Sequence, residues 1–408
     1  MMTRAWSRTE TMKTILIISF SNLATDPRVN RQIRFLSEHY RVITAGLVDP
    51  QVENVQYVPV VMAKKGIPSF RSFFQLLLHR YDSHYWRQAH IIDGFRKLSR
   101  VRADLILAND IATLPLALKI RNGARVLFDA HEYAPLQYDD LLLWKLFFKP
   151  YASHLCRTHI PHADAVTTVC EGIAEAYQRE TILRPAVITN AADYEDHEPM
   201  LPQKGKTTIR LVHHGGASPS RKIENMIKMM SYLDDRFELH LILTGSDSRY
   251  IRSLRDLAEG RKHIHFSDPV PMRTLPKYLH QFDVGVYLLE PHNFNLRHTL
   301  PNKFFEFIQA RLAIAIGPSP EMAHIVNKYD LGVVAEDFSP ETLARRLSQL
   351  DADKVNHYKW QSHKAARILS AEPNKGLLLD LVQRLLGERN EADPQSATFR
   401  GKDGQSKR

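Results

Sequence analysis

NLRHTLPNKFFE, residues 295–306, follows an apolar strand pattern and begins a helix. Pro301 and Asn302 are typical of a helix start, and we predict Asn302 as its N-cap. Lys303 and Glu306 stand three residues apart, so they share one face of this helix, beside backbone N–H groups that favour an anion. A cation attracts phosphate and a carboxylate accepts hydrogen bonds from sugar hydroxyls, which together suits a nucleotide-sugar. The alternative is a helix cap with a surface ion pair.

The composition indicates a globular chain with two domains. At 408 residues the chain is too long for one small core, and its hydrophobic share of 44% supplies material for two. Cys156 and Cys170 are too few for a disulfide framework, which fits a reducing compartment. No apolar run approaches the roughly 18 residues of a membrane-spanning helix.

The N-terminus imitates a secretory signal, because basic residues within 1–13 precede the apolar segment 14–20. That segment is short, and no clear small-residue cleavage site follows it. We interpret 15–19 as the first buried strand and expect a cytoplasmic protein.

Two series of short, β-branched, apolar segments alternate with helical patterns. Asp26 and Pro27 supply a cap and a first-turn proline for the first helix. Strands are predicted at 15–19, 41–45, 104–108, 125–129, 165–168 and 186–189, and then at 208–213, 238–243, 263–266, 284–289, 313–316 and 332–334. Such segments are typical of parallel sheets covered on both faces.

The two series predict an α/β protein with two doubly wound Rossmann-like domains, 1–195 and 205–370, which face a central cleft. A C-terminal helix at 371–386 is expected to pack back on the first domain, and 387–408 to form a disordered tail. Ligands of such sheets bind at the carboxyl ends of the strands, so candidate site residues are sought there.

A glycine-containing turn follows the first strand of the second series. Gly215 and Gly216 allow the backbone to approach a ligand, and the next helix, predicted to begin near Ile223, points N–H groups into that space. Arg221 and Lys222 can neutralise a diphosphate, the arginine through a two-pronged contact. The residues assigned to donor binding are Gly215, Gly216, Arg221, Lys222, Asn302, Lys303 and Glu306.

A second polar strand end, Asp129-Ala130-His131-Glu132, belongs to the first domain. A neutral His131 there can hydrogen-bond a sugar hydroxyl or a reacting oxygen, and we assign His131 and Glu306 as catalytic. The alternative is a histidine–carboxylate pair that braces the loop. Asn109-Asp110, at the preceding strand end, is interpreted as a helix cap. The 20 histidines show no metal-ligand spacing, so no bound metal is expected.

Basic residues are concentrated between residues 64 and 102, where nine Lys and Arg face two Asp and carry most of the net charge of +10. An apolar stripe at helical spacing runs through the same segment: Phe70, Phe73, Phe74, Leu77, Leu78, Tyr81 and Tyr85. The stripe either contacts an anionic membrane or packs on the domain core. We assign to the acceptor or membrane side Arg28, Arg71, Arg80, Trp86 and Arg87. Nucleic acid is not expected, because no binding motif accompanies the charge.

Together, four motifs resemble glycosyltransferase family 4, the group 1 glycosyltransferases: residues 25–31, 129–132, 168–171 and 301–306. The resemblance covers roughly residues 14–386 and implies two Rossmann-like domains, the B-type glycosyltransferase fold. It also implies a retaining, hexosyltransferase-type transfer from a nucleotide-sugar, which is a co-substrate, with no metal and no other cofactor.

The resemblance also implies roles for particular residues. Glu306 corresponds to the second carboxylate of the paired-acid motif, which contacts the donor ribose. Arg221 corresponds to the basic residue that holds the diphosphate, and His131 to the histidine near the donor sugar. Two positions depart from the family pattern: His298 replaces the first carboxylate, and Gly216 replaces an arginine.

The leading hypothesis is a glycosyltransferase of cell-surface polysaccharide synthesis, with a nucleotide-sugar donor and a glycan or lipid-linked acceptor. It would act in the cytoplasm, with peripheral contact to the inner face of the membrane. A nucleotide-sugar epimerase of the same fold and a non-catalytic binding protein remain alternatives.

Overall fold

The computed structural model describes residues 12–62, 70–201, 208–245, 248–271 and 274–388, without the side chains of Phe70, Arg71 and Ser248. Most of the predicted tail, residues 389–408, lies outside this range. No helix within the described ranges is long and apolar enough to cross a bilayer.

The first domain is a seven-stranded parallel sheet with the order β3-β2-β1-β4-β5-β6-β7. Its strands are β1 (Thr14–Ile18), β2 (Arg41–Gly46), β3 (Gln56–Pro59), β4 (Leu105–Asn109), β5 (Arg125–Ala130), β6 (Ala165–Thr168) and β7 (Ala186–Val187). Its helices are α1 (Pro27–Ser37), α2 (Phe70–Leu77), α3 (Tyr81–Tyr85), α4 (Ala89–Leu98), α5 (Leu114–Ile120), α6 (Lys149–His159) and α7 (Glu171–Thr181). A π-helical turn, Trp144–Phe148, precedes α6.

The second domain is a six-stranded parallel sheet with the order β10-β9-β8-β11-β12-β13. Its strands are β8 (Ile209–Gly216), β9 (Phe237–Thr244), β10 (Ile264–Ser267), β11 (Val284–Tyr287), β12 (Ala313–Ile316) and β13 (Gly332–Val334). Its helices are α8 (Glu224–Met229), α9 (Ser248–Leu257), α10 (Leu275–Leu279), α11 (Phe294–Arg297), α12 (Asn302–Gln309), α13 (Pro320–Tyr329), α14 (Pro340–Ser348) and α15 (Ala352–Ala366). A last helix, α16 (Ala371–Leu385), follows.

The sheets form because their strands are apolar on both faces. The four residues 15–18 of β1, for example, are at most 1% exposed, as expected for parallel strands covered by helices on both sides. In each sheet the strand order reverses next to the first strand, between β1 and β4 and between β8 and β11. Ligands of such sheets bind at the carboxyl ends of the strands beside this reversal.

The N-terminus of α1 is capped as the sequence predicts, whereas that of α12 is not. The Asp26 side chain accepts a hydrogen bond from the Val29 amide and caps α1, as predicted. The prediction of Asn302 as the N-cap of α12 was wrong: Pro301 occupies that position and Asn302 is the first helical residue. The Asn302 side chain instead accepts a hydrogen bond from Arg31 of the first domain (3.1 Å).

The C-terminal helix packs on the first domain. Leu378 and Val382 of α16 are buried in one cluster with Ile15 and Val29, and Asn374 donates to the Thr189 carbonyl (3.0 Å). The helix that follows the second domain therefore packs against the first one.

Candidate active site

The site is built at the carboxyl edge of the second sheet, where β8 runs three residues past the predicted strand end. Gly215 adopts φ +113°, a conformation that glycine tolerates best. A Cβ atom at this position would lie 3.1 Å from the Lys303 Nζ atom. The absence of a side chain at Gly215 therefore gives the lysine amine room at the turn.

Lys303 projects from the first turn of α12 and is buried (7% exposed). Its amine lies 3.4 Å from the Nε2 atom of His213 and 5.0 Å from the centre of the Tyr287 ring. The His213 Nδ1 atom donates to the Val286 carbonyl (2.9 Å), which leaves Nε2 as an acceptor facing the lysine. Burial and the nearby Arg221 charge lower the pKa of Lys303 to about 7, although Glu306 opposes the shift.

Glu306 lies one turn further along the same face of α12, as the three-residue spacing predicts. Its carboxylate is 3.3 Å from the Nε2 atom of His214. Burial raises the pKa of Glu306, and the charges of Lys303 and Arg31 oppose this rise. Burial and the Lys303 charge lower the pKa of His214 to about 3, so this ring is neutral at neutral pH. Sequence reasoning missed His213 as a neighbour of Lys303 and His214 as a neighbour of Glu306. Paired histidines at the end of an apolar strand are nevertheless a recognisable signal.

The two basic residues after the glycines differ in their environment. Arg221 is exposed and lines the cavity beside Gly216. Lys222 adopts a left-handed conformation (φ 45°) and pairs with Glu290 at 2.6 Å. The helix predicted near Ile223 begins at Glu224, after a 3₁₀ turn.

A cavity of about 470 Å³ lies between the domains at this edge. Its lining includes three residues singled out in the sequence, His131, Arg221 and His298. The domains also contact each other beside it, because the Asn295 side chain accepts from the Tyr133 amide (2.8 Å) and donates to the Tyr133 carbonyl (3.2 Å). The cavity is large enough for a small-molecule ligand.

His131 is engaged by polar groups on both sides of its ring. Its Nε2 atom lies 3.0 Å from the Asn109 amide oxygen and 3.3 Å from Asp129, and its Nδ1 atom is 3.5 Å from Asp110. Burial alone would lower the pKa of His131, but the Asp110 and Asp129 carboxylates overcome this effect and raise it to about 9. The ring is therefore charged at neutral pH, and the expectation of a neutral His131 was wrong.

The cap interpretation of Asn109-Asp110 was also wrong. Thr113 occupies the N-cap position of α5, while Asn109 and Asp110 bind the side chain and the backbone amide of His131. Their polar groups therefore brace the His131 loop.

His298, which replaces a carboxylate of the family pattern, is held by another carboxylate. Its Nδ1 atom lies 3.0 Å from the Glu321 carboxylate of α13, which also accepts a hydrogen bond from the Gly172 amide of the first domain (2.9 Å). A Cβ atom at Gly172 would lie 1.9 Å from that Nδ1 atom. In the described part of the chain no residue hydrogen-bonds the His298 Nε2 atom. Sequence reasoning missed Glu321, because 23 residues separate it from His298.

The residues assigned to the acceptor or membrane side fall into different environments. The assignment of Arg28 was wrong: it is buried and binds Asp129 through two nitrogens (2.6 and 2.7 Å). Trp86 is half-buried and packs edge-on against Tyr85. Arg80 and Arg87 are exposed, whereas the Arg71 side chain lies outside the described residues.

The predicted apolar stripe is divided between core and surface. Tyr81 and Tyr85 are buried, while Phe73, Phe74, Leu77 and Leu78 are 39–52% exposed. A second group of exposed leucines lies just before the π-helical turn and within it: Leu141, Leu142, Leu143 and Leu146 (53–70% exposed). The Phe73 and Phe147 rings lie 4.6 Å apart and join the two groups. We call these eight exposed residues the apolar patch.

Comparison with known proteins finds a family model that matches the second domain. Residues 208–353 match the family model described as "Glycosyl transferases group 1". A comparison with curated protein sequences gave no match. The described strand orders and the motifs of the second domain agree with this assignment.

Solved glycosyltransferase structures share the architecture of about nine-tenths of the chain. HepE (Alr3699) of Anabaena, in complex with UDP and glucose, is 12% identical, with a TM-score of 0.66 over 91% of this chain and 100% of that one. TarM of S. aureus is 11% identical, with a TM-score of 0.66 over 92% and 99%. Sucrose-phosphate synthase of Thermosynechococcus elongatus is 14% identical, with a TM-score of 0.64 over 92% and 100%.

These comparisons confirm the resemblance and the fold class predicted from the sequence. The chain has the two-domain B-type glycosyltransferase fold, and its second domain matches the family model of the group 1 glycosyltransferases.

Proposed function

We propose that the protein transfers a hexose, with retention of anomeric configuration, from a nucleoside-diphosphate sugar to a glycan or lipid-linked acceptor in cell-surface polysaccharide synthesis. The observation that carries this proposal is the position of Lys303, one helical turn from Glu306 on α12, against Gly215 and within the field of the Arg221 charge. Arg221 itself lines the cavity. HepE, which shares the fold, was solved with UDP and glucose, so UDP-glucose is the first donor to test.

In the proposed reaction the donor diphosphate lies between Arg221 and Lys303, and Glu306 accepts hydrogen bonds from the ribose. The bond between the anomeric carbon and the diphosphate oxygen breaks while the acceptor hydroxyl forms a new bond on the same face of the sugar. The departing phosphate oxygen takes the hydroxyl proton. The protein positions the reactants and stabilises the charge of the leaving diphosphate. We propose that these two side chains suffice for that charge, without a metal at the transfer site.

His298 takes the sugar-facing role in this proposal. The His298 ring lines the cavity with its Nδ1 atom on Glu321, so its Nε2 atom is the one left to hydrogen-bond a sugar hydroxyl. His131 lines the cavity, and the neighbouring Asp110 and Asp129 carboxylates favour its charged form. We propose that it supports the donor sugar electrostatically rather than accepting a proton.

The function is tested by thermal stabilisation with UDP, UDP-glucose, other UDP-hexoses and GDP-mannose. A ligand that binds only the folded state raises the melting temperature in proportion to ln(1 + [L]/Kd). We expect one donor to stabilise the wild type, and Glu306→Ala to lose that shift. Glu259→Ala, which removes an exposed carboxylate after α9, is the matched control. A folded wild type that none of these donors stabilises would favour the non-catalytic alternative.

A product assay then separates transfer from epimerisation. Transfer requires an acceptor and releases UDP, whereas an epimerase converts the donor sugar without an acceptor. Conversion of the bound donor in the absence of any acceptor would replace our proposal with the epimerase alternative.

We further propose that the apolar patch contacts an anionic membrane on its cytoplasmic side and brings the enzyme to a lipid-linked acceptor. Exposed Lys145 and Lys149 lie beside the patch in sequence, and Arg80 follows α2. Apolar side chains flanked by cations suit the surface of an anionic bilayer. Both described cysteines are free, which agrees with a reducing compartment.

Sedimentation with vesicles tests this contact. Wild type should bind phosphatidylglycerol vesicles more tightly than phosphatidylcholine vesicles, and less tightly at high salt. Leu142→Glu combined with Leu146→Glu should abolish binding without changing the melting temperature, because both side chains are exposed. Equal binding of this variant and the wild type would exclude the patch as the contact surface.

A further inference from the structure

Three potential metal ligands meet on the second sheet, away from the transfer site. Glu238 and His240 alternate along β9, so both side chains lie on one face of the sheet. His265 of the edge strand β10 stands directly beside His240 in the parallel register. One potential ligand atom from each of the three lies within 4.8 Å of the others.

The positions of these atoms suit a borderline divalent metal. The Nε2 atom of His240 and a Glu238 oxygen are 3.6 Å apart, close to the ~3.4 Å between two ligands of a tetrahedral zinc ion with bonds of ~2.1 Å. The His240 and His265 rings are stacked, with centroids 4.6 Å apart and planes inclined by 24°. Two imidazoles and a carboxylate match the preference of Zn²⁺ and its neighbours in the transition series.

A second observation points to a ligand at this place. The Nε2 atom of His240 is buried and has no hydrogen-bond partner within the described residues. Buried polar atoms are nearly always paired, so an orphan nitrogen aimed at a carboxylate calls for an explanation. Arg210 lies beside Glu238 in the sheet, but its guanidinium group forms an ion pair with Asp283 (3.4 Å). The Arg210 charge is therefore balanced by Asp283.

We propose that Glu238, His240 and His265 bind Zn²⁺ or a chemically similar divalent metal, with water at the fourth position. The bound ion fastens the edge strand β10 to β9. Glu238 lies six residues before Thr244, the last residue of β9. Thr244 pairs with Gly216 of β8, at the edge of the sheet where the transfer site lies. This spacing is about 20 Å along an extended strand, so the metal takes no part in sugar transfer. Spacing in the sequence predicted no metal, because the ligands come from two strands that only the sheet brings together.

Metal binding is measured directly on untagged, full-length protein that has been stripped with a chelator. We expect about one Zn²⁺ per chain after dialysis, a visible absorption spectrum of a low-coordinate site with Co²⁺, and a melting temperature that rises with Zn²⁺ concentration. Glu238→Gln and His265→Asn should each raise the Kd for Zn²⁺ by at least about 100-fold. Mutation of residues that only hydrogen-bond a metal ligand already lowers metal affinity about ten- to a hundredfold.

His263→Asn is the matched control. His263 precedes the same edge strand, but its ring lies 3.5 Å from Asp235 and is 45% exposed. This variant should bind Zn²⁺ as the wild type does. Failure of the wild type to bind, or equal affinity in the wild type, Glu238→Gln and His265→Asn, would overturn the proposal. The measurement uses no sugar donor, so its outcome is independent of the proposed function.

Discussion

At the scale of single residues, the buried lysine of α12 has the most unusual chemistry. A lysine whose pKa is about 7 is half neutral in the empty site at that pH, and a bound diphosphate restores its charge because an anion favours the protonated form. Nucleotide binding should therefore take up a proton near pH 8 and weaken as the pH rises above 7.

Calorimetry of UDP binding in buffers with different ionisation enthalpies measures this uptake. Lys303→Arg keeps a permanent charge and should show no uptake above pH 7, with an affinity that changes little between pH 7 and pH 9. Uptake of the same size in Lys303→Arg would place the titrating group elsewhere.

The two cations beside the cavity should contribute to the rate separately. Arg221→Ala and Lys303→Ala should each lower turnover by about tenfold to a thousandfold, the range for lost stabilisation of transition-state charge. Lys222→Ala is the control, because Lys222 is already paired with Glu290, and its turnover should change much less. Unchanged turnover in both Arg221→Ala and Lys303→Ala would remove them from the mechanism.

At the scale of elements, a glycine in β11 sets how closely α12 approaches the sheet. A Cβ atom at Gly285 would lie 2.4 Å from the Phe307 ring, so Gly285→Ala must displace the helix that carries Lys303 and Glu306. We expect a loss of about 1–3 kcal/mol in the free energy of unfolding, as for other overpacked cores, and weaker UDP-glucose binding. Denaturant unfolding and calorimetry measure the two effects.

The double variant Gly285→Ala with Phe307→Leu provides the control for this packing argument. The smaller side chain makes room for the added methyl, so the double variant should recover part of the lost stability and binding. Additive losses in the double variant would show that the two residues do not interact.

At the scale of the whole molecule, the cleft depends on a close contact between the domains at the start of α7. Gly172 allows His298 and Glu321 to reach the first domain. Gly172→Ala should force the domains apart and reduce kcat/KM by about tenfold to a hundredfold, because small misplacements of reacting groups are costly. Small-angle scattering should show a larger radius of gyration. Gly376→Ala is the control, since a Cβ atom there meets nothing within 4 Å, and an unchanged Gly172→Ala enzyme would contradict the argument.

The sequence predicted the features that depend on interactions between residues close together in the chain. Alternating apolar segments indicate two parallel sheets because each strand is buried on both faces. The Asp26-Pro27 pair predicts the start of α1, and the spacing of Lys303 and Glu306 places both on one helix face, since capping and helical periodicity act within a few residues.

Only the tertiary structure decided which distant groups meet, because sheet register and domain packing bring together residues that are far apart in the chain. Burial beside His213 and Arg221 lowers the pKa of Lys303, and carboxylates from two strand ends keep His131 charged. No sequence spacing predicts that Glu321 will hold His298, or that β10 will place His265 beside His240. The sequence by itself determined the architecture and indicated a candidate site, whereas the charge states and the partners within that site are properties of the fold.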